Sequence, residues 1–270
     1  MTVTQAGISA SGRAELARVL AGGRRFVSTQ GVAETLEIDA DSAAKKLSRW
    51  AEYGWLRRVK RGLYIGVPVE AADPATWSED PLVVAAEVWP GYFTGWTAAG
   101  EWSLTDQVFR TTVLKTTARV RASSVRLLDH DYLITKTDEA DLAWGMKTQW
   151  RADAKLRFAD PARTVIDILD TPKLGGGMRH SAEILAAYLE SHRPTTLLHY
   201  GDRLGNRTVF KRLGYCIETL GLNAPDVGQA CQYRMSAGIS PLDPDGPDGG
   251  RVVTRWNLRI NATIAADNPS

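Results

Sequence analysis

Cysteine is nearly absent from this chain: Cys216 and Cys231 are the only two in 270 residues. Two thiols cannot build the disulfide framework of a small secreted domain, nor a cysteine-type zinc site. Long apolar runs are missing too. No stretch approaches the roughly 18 residues of a membrane helix, and the opening MTVTQAGISASGRAEL has neither the basic nor the apolar segment of a signal peptide. No membrane partner is expected, and a reduced cytoplasmic setting is. Histidine is scarce, and His130, His180, His192 and His199 show no metal-ligand spacing. There is no internal repeat.

What is present is an ordinary globular mixture, 44% hydrophobic and 24% charged, in a chain long enough for one large domain or two modest ones. The net charge of +2 is uninformative until it is divided. Residues 1–68 carry eleven Arg and Lys against six Asp and Glu, a balance of +5, and the remainder balances at −3. Such asymmetry suggests an N-terminal part that meets a polyanion.

The local pattern of that part is a helical one ending in a hairpin. Ser11 is placed to cap a first helix with Leu16, Val19 and Leu20 inward, ended by Gly22-Gly23. Ser28 caps a short second helix. Asp39 caps a third, Ala40 to Tyr53, in which Ala43, Leu47 and Trp50 make a core face. Ser42, Lys45, Lys46 and Arg49 share a second, cationic face. Gly54 stops the helix. Strands over Trp55–Val59 and Leu63–Val67 follow, joined at Lys60-Arg61-Gly62. Three helices and a two-stranded wing spell a winged helix-turn-helix.

In that arrangement the third helix enters a major groove and the wing reaches neighbouring phosphates. Ser42, Lys45, Lys46 and Arg49 are the expected groove set. Arg57, Arg58, Lys60 and Arg61 are the expected wing contacts, with Arg24 and Arg25 ahead of the second helix as further phosphate contacts. Charged helix faces are commonly just solvated, and winged helices also bind proteins. The order and spacing of helix and wing favour double-stranded DNA.

Residues 69–80, VEAADPATWSED, have the composition of a linker, and residues 81–270 alternate helical and β-rich segments. PLVVAAEVW and TAAGEWSL are helical; GYFTG, FRTTVLKT, SSVRLL, DYLITKT and KLRFA are strands. Asp160 and Pro161 then open a helix, and the remainder is largely helical, with helices around Ser181–Glu190 and Asn206–Leu220 and a final strand VVTRWNLRIN. The expected fold class is α+β: an N-terminal winged helix-turn-helix, then a larger mixed domain with a helical C-terminal half.

No catalytic site, metal site or cofactor motif emerges. Asp129-His130-Asp131 has the D-x-D form of a nucleotidyltransferase metal site but lacks the upstream Gly-Ser turn, so a polar turn between strands is expected. Gly175-Gly176-Gly177 lacks the Lys-Ser/Thr of a phosphate loop and reads as a flexible link. Arg163 and Asp167 stand at i, i+4, where an ion pair is the simple account. An enzyme is not expected.

Four segments in succession, RRVKRGLYIGVP, GYFTGWTAAGEWSLTDQ, LRFADPARTVIDILD and KRLGYCIETLG, resemble the AbiEi antitoxins of the abortive-infection (AbiE, type IV) toxin–antitoxin systems. The likeness runs from about Ala14 to Leu222, with an echo in TRWNLRIN. It implies an antitoxin that represses its own operon by binding inverted repeats of operator DNA through the third-helix and wing residues. It also implies a cognate nucleotidyltransferase toxin as functional partner, neutralised by the C-terminal domain. The alternative is an interaction protein that neutralises the toxin by direct contact, with the winged helix accessory.

Overall fold

The computed structural model describes residues 7–264 as a mixed α+β protein. Within this range, residues 7–88 with 126–131 form one compact unit, and 89–125 with 132–264 form the other. The stretch 69–80 and the helix after it therefore belong with the first unit.

In that unit, helix α1 is Ala10–Val19. Its cap is Ser9 rather than Ser11, because the Ser9 hydroxyl accepts from the Gly12 amide at 3.1 Å while Ser11 already lies in the first turn. Strand β1, Phe26–Ser28, follows. Helix α2 is Thr29–Leu36, capped by Ser28, and α3 is Ala40–Glu52, capped by Asp39. Strands β2, Leu56–Lys60, and β3, Leu63–Gly66, form a hairpin with Gly62 at φ 76° in the turn. A side chain at that φ is strained, which is why glycine closes the hairpin. β1 pairs antiparallel with β3, so the sheet order is β1-β3-β2. This third strand has no counterpart in the sequence reading: three residues are too few to show an alternation, and β1 exists only through its partner.

Leu16, Val19, Val27, Val32, Ala43, Leu47, Trp50, Leu56 and Tyr64 make the core of this unit. The α3 core face is buried to 3% exposure or less. Each large apolar side chain so buried stabilises the fold by about 1.5–3 kcal/mol. Helix α4, Pro81–Val88, completes the unit.

The second unit is built on a sheet. Its elements in chain order are β4 (Gly91–Phe93), α5 (Gly95–Glu101), β5 (Thr111–Thr116), β6 (Ser124–Leu127) and β7 (His130–Lys136), of which residues 126–127 and 130–131 fall in the first unit, then β8 (Met146–Arg151) and β9 (Ala154–Ala159). Helices α6 (Pro161–Asp170), α7 (Met178–Ser191), α8 (Thr195–Leu204), α9 (Thr208–Thr219) and α10 (Pro225–Arg234) follow. The chain then adds β10 (Ser240–Pro241), β11 (Arg251–Val253) and β12 (Leu258–Ile260). The strands β4–β9 form one sheet in the order β6-β7-β5-β4-β9-β8, with β4 and β9 parallel.

Helix α6 begins as the sequence reads, with Asp160 accepting from the Arg163 amide at 2.8 Å and Pro161 in the first turn. Residues 161–169 are all buried, so α6 is the axis around which α5, α7, α8 and α9 pack. Three expectations change. The final segment is two strands, β11 and β12, separated by a 3-10 turn at Thr254–Trp256 and Asn257 at φ 48°. That break lets Trp256 bury against Gly214 of α9, where an added Cβ would stand 2.0 Å from the ring. The glycine run is a defined turn, not a loose link: Pro172–Gly175 is a 3-10 turn and Gly177 occupies the cap position of α7. Elements β8, α8 and α10 were not anticipated. Among the described residues, no helix is long and apolar enough to cross a membrane.

Candidate nucleic-acid interface

Helix α3 owes its start to a doubled cap. Asp39 accepts from the Ser42 amide at 2.9 Å and from the Ser42 hydroxyl at 2.7 Å. Those bonds hold the Asp39 carboxyl below its ordinary value, the Ser42 side-chain bond most of all. Ser42 is thus engaged locally, with its hydroxyl proton directed at Asp39. Lys45 and Arg49 lie one turn apart on the exposed side of the helix. Asp41 and Glu52 are exposed on α3 as well, so the outer surface is mixed rather than purely cationic.

Lys46 is half-buried and reaches Glu15 of α1 at 2.6 Å. An ion pair this exposed contributes only about 0.2–1 kcal/mol, so a phosphate can compete for the lysine. In the hairpin, Arg58, Lys60 and Arg61 are exposed, while Arg57 is turned inward. Arg57 donates to the Trp77 carbonyl and, through its second terminal nitrogen, to Asp129 Oδ2 at 3.1 Å. Arg24 is exposed, and Arg25 pairs with Glu79 at 2.9 Å.

The ten candidate positions therefore fall into two groups. Arg24, Lys45, Arg49, Arg58, Lys60 and Arg61 are exposed, and their side chains have no hydrogen bond or ion pair among the described residues. Arg25, Ser42, Lys46 and Arg57 have protein partners. Sequence reasoning could not identify Glu15, Glu79 and Asp129 as those partners, because they lie 31, 54 and 72 residues away along the chain.

Other candidate sites are less eventful. Leu128 and Asp129, at φ 46° and 66°, make the turn between β6 and β7, so Asp129 lies in the expected turn while His130 and Asp131 open β7. His180 bridges the Thr105 hydroxyl and the Gly175 carbonyl, a packing role. Burial pushes the thiols of Cys216 and Cys231 up to about 12, which keeps them protonated and unreactive. A groove of about 660 Å³ beside α9 and α10 is lined by Ile217, Leu222, Gln229 and Trp256. Its charged groups, Glu218 and Arg255, pair with each other at 2.8 Å.

The chain is thus a mixed α+β protein whose basic stretch, residues 7–68, belongs to an N-terminal unit that its remaining residues bring close to neutral. No protein-family model and no curated protein matches the chain. Among solved structures it is similar to the RV2827C protein from Mycobacterium tuberculosis, with a TM-score of 0.62 and 14% identity over 95% of this chain and 93% of that one. At that identity the likeness speaks for the fold alone.

Proposed function

We propose that the chain is a DNA-binding transcriptional autorepressor and antitoxin of a bacterial toxin–antitoxin operon, with residues 7–68 folded as a winged helix-turn-helix. The observation that carries the reading is the placement of six cations whose side chains are unpaired among the described residues. Lys45 and Arg49 project from the third helix, Arg58, Lys60 and Arg61 from the wing, and Arg24 from the approach to β1. A helix flanked by a basic hairpin offers base-edge and phosphate contacts at once. The antitoxin part rests on the AbiEi resemblance, which makes a nucleotidyltransferase toxin the functional partner and gives the chain itself no catalytic role.

The test is a titration of the full chain against the intergenic duplex upstream of its own gene, with a scrambled duplex in parallel at several salt concentrations. Six phosphate neutralisations give log K a slope against log salt of about −5 per bound chain. Preference for the native duplex with a slope of that order supports a sequence-specific repressor. Equal affinity for both duplexes, or a slope near zero, ends the repressor reading.

A further inference from the structure

We infer that Arg57 is a positioning residue of the DNA-binding unit and not a phosphate contact. It clamps β2 to the segment at 77–79 and to the turn at 128–129, and so holds Arg58, Lys60 and Arg61 where the wing needs them. The inference rests on the DNA-binding reading above.

The geometry is that of a fork filled on both prongs. Successive residues of β2 point to opposite sides, and the Arg57 side chain is 18% exposed while Arg58 faces solvent. One terminal nitrogen of Arg57 is bonded to the Trp77 carbonyl and the other to Asp129. A planar guanidinium is suited to holding two acceptors at once, which an ammonium at the same place is not. A phosphate approaching Arg57 would have to displace the carboxylate already there.

The neighbouring bonds converge on the same three residues. Ser78 donates its hydroxyl to the Leu128 carbonyl at 3.3 Å, and Glu79 accepts from Arg25 at 2.9 Å. Residues 77, 78 and 79 are thus tied in turn to β2, to the β6–β7 turn and to the residue ahead of β1. Leu128 and Asp129 are both left-handed. Leucine is disfavoured there and aspartate tolerated, so this is a turn whose side chain and carbonyl both have assigned work in the clamp.

The test uses the full chain and two readouts: salt-dependent affinity for the upstream and scrambled duplexes, and amide hydrogen exchange over residues 56–66 without DNA. Arg58→Ala should lower the salt slope by about 0.9 and leave exchange unchanged. Arg57→Lys keeps the charge but not the fork; it should speed exchange over 56–66 several-fold and weaken operator binding with the slope unaltered. Asp129→Asn suits the left-handed backbone, and should weaken binding in the same way although it removes a negative charge. The clamp is overturned if Arg57→Lys binds like the unaltered chain while Arg57→Ala lowers the slope as Arg58→Ala does. It is equally overturned if Asp129→Asn tightens binding, or if no Arg57 variant alters exchange. Should the unaltered chain bind neither duplex, the DNA reading fails, and the exchange data alone decide whether Arg57 clamps β2.

Discussion

At the scale of the residue, charge and burial assign opposite tasks to similar side chains. The side chains of Arg58 and Arg61 are exposed and unpaired among the described residues, and reversing both to Glu is expected to weaken binding to every duplex and to reduce the salt slope by about 2. Lys45→Ala and Arg49→Ala should instead blur the choice between sequences, by about 1–3 kcal/mol for each base edge no longer read; competition titrations with operator variants separate the two effects. Deep in the second unit the logic reverses. Asp167 is fully buried and accepts from Lys115, Arg163, Thr94 and Tyr92. Burial alone would raise its pKa, but the charges of Lys115 and Arg163 outweigh burial and hold it below the ordinary value. Its stabilisation is therefore complete above an unfolded-state pKa of about 3.9 and is lost only as pH falls through the lower folded value. Asp167→Asn should cost about 3–5 kcal/mol, since it leaves buried cations uncompensated. It should also flatten the acid limb of stability measured by urea unfolding against pH.

At the scale of the element, helix ends are where this sequence is most explicit. Ser28, Asp39 and Asp160 cap the helices they were expected to cap. Asp39→Ala should destabilise the first unit by about 0.5–2 kcal/mol, seen as a lower midpoint of thermal unfolding with the α3 amides exchanging first. The C-terminal end of α6 is met differently. Arg212 of α9, 3% exposed, donates to the carbonyls of Leu169 and Asp170, as well as to that of Leu242. Carbonyls at a helix end have no partner within the helix, and here a buried guanidinium supplies one. Arg163, Asp167 and Arg212 all lie within the segments that resemble the AbiEi antitoxins, and in the structure all three act as internal cross-links. Those segments therefore report on architecture.

At the scale of the whole molecule, the boundary of the first unit decides what a fragment would do. Trp77, Glu79 and Asp129, the partners of Arg57 and Arg25, lie outside residues 1–68. A fragment ending at residue 68 loses these ties, and we expect it to bind the upstream duplex more weakly than the full chain at matched salt. Equal affinity would show that the β2–β3 hairpin holds its shape without them. The direct-contact alternative is judged at this scale too. Co-purification of a cognate toxin with the full chain, kept when residues 7–68 are deleted, would favour direct contact through the rest of the chain.

The sequence by itself determined the α+β class, the three N-terminal helices with the hairpin, the caps at Ser28, Asp39 and Asp160, and which ten polar and charged side chains to examine, because each of these is set by residues within a few positions of one another. Helical spacing placed Lys45 and Arg49 opposite Leu47 and Trp50, and no distant contact was needed for that. Only the tertiary structure decided which cations remain free. It supplied β1, which exists by pairing with β3, and it broke the last strand so that Trp256 could bury over Gly214. It turned Arg57 inward onto a carboxylate 72 residues away, and it made the i, i+4 pair of Arg163 and Asp167 part of a buried cluster with Lys115 and Tyr92. Charge can be counted from a sequence. Whether a charge faces water or another side chain depends on residues that the fold alone brings together.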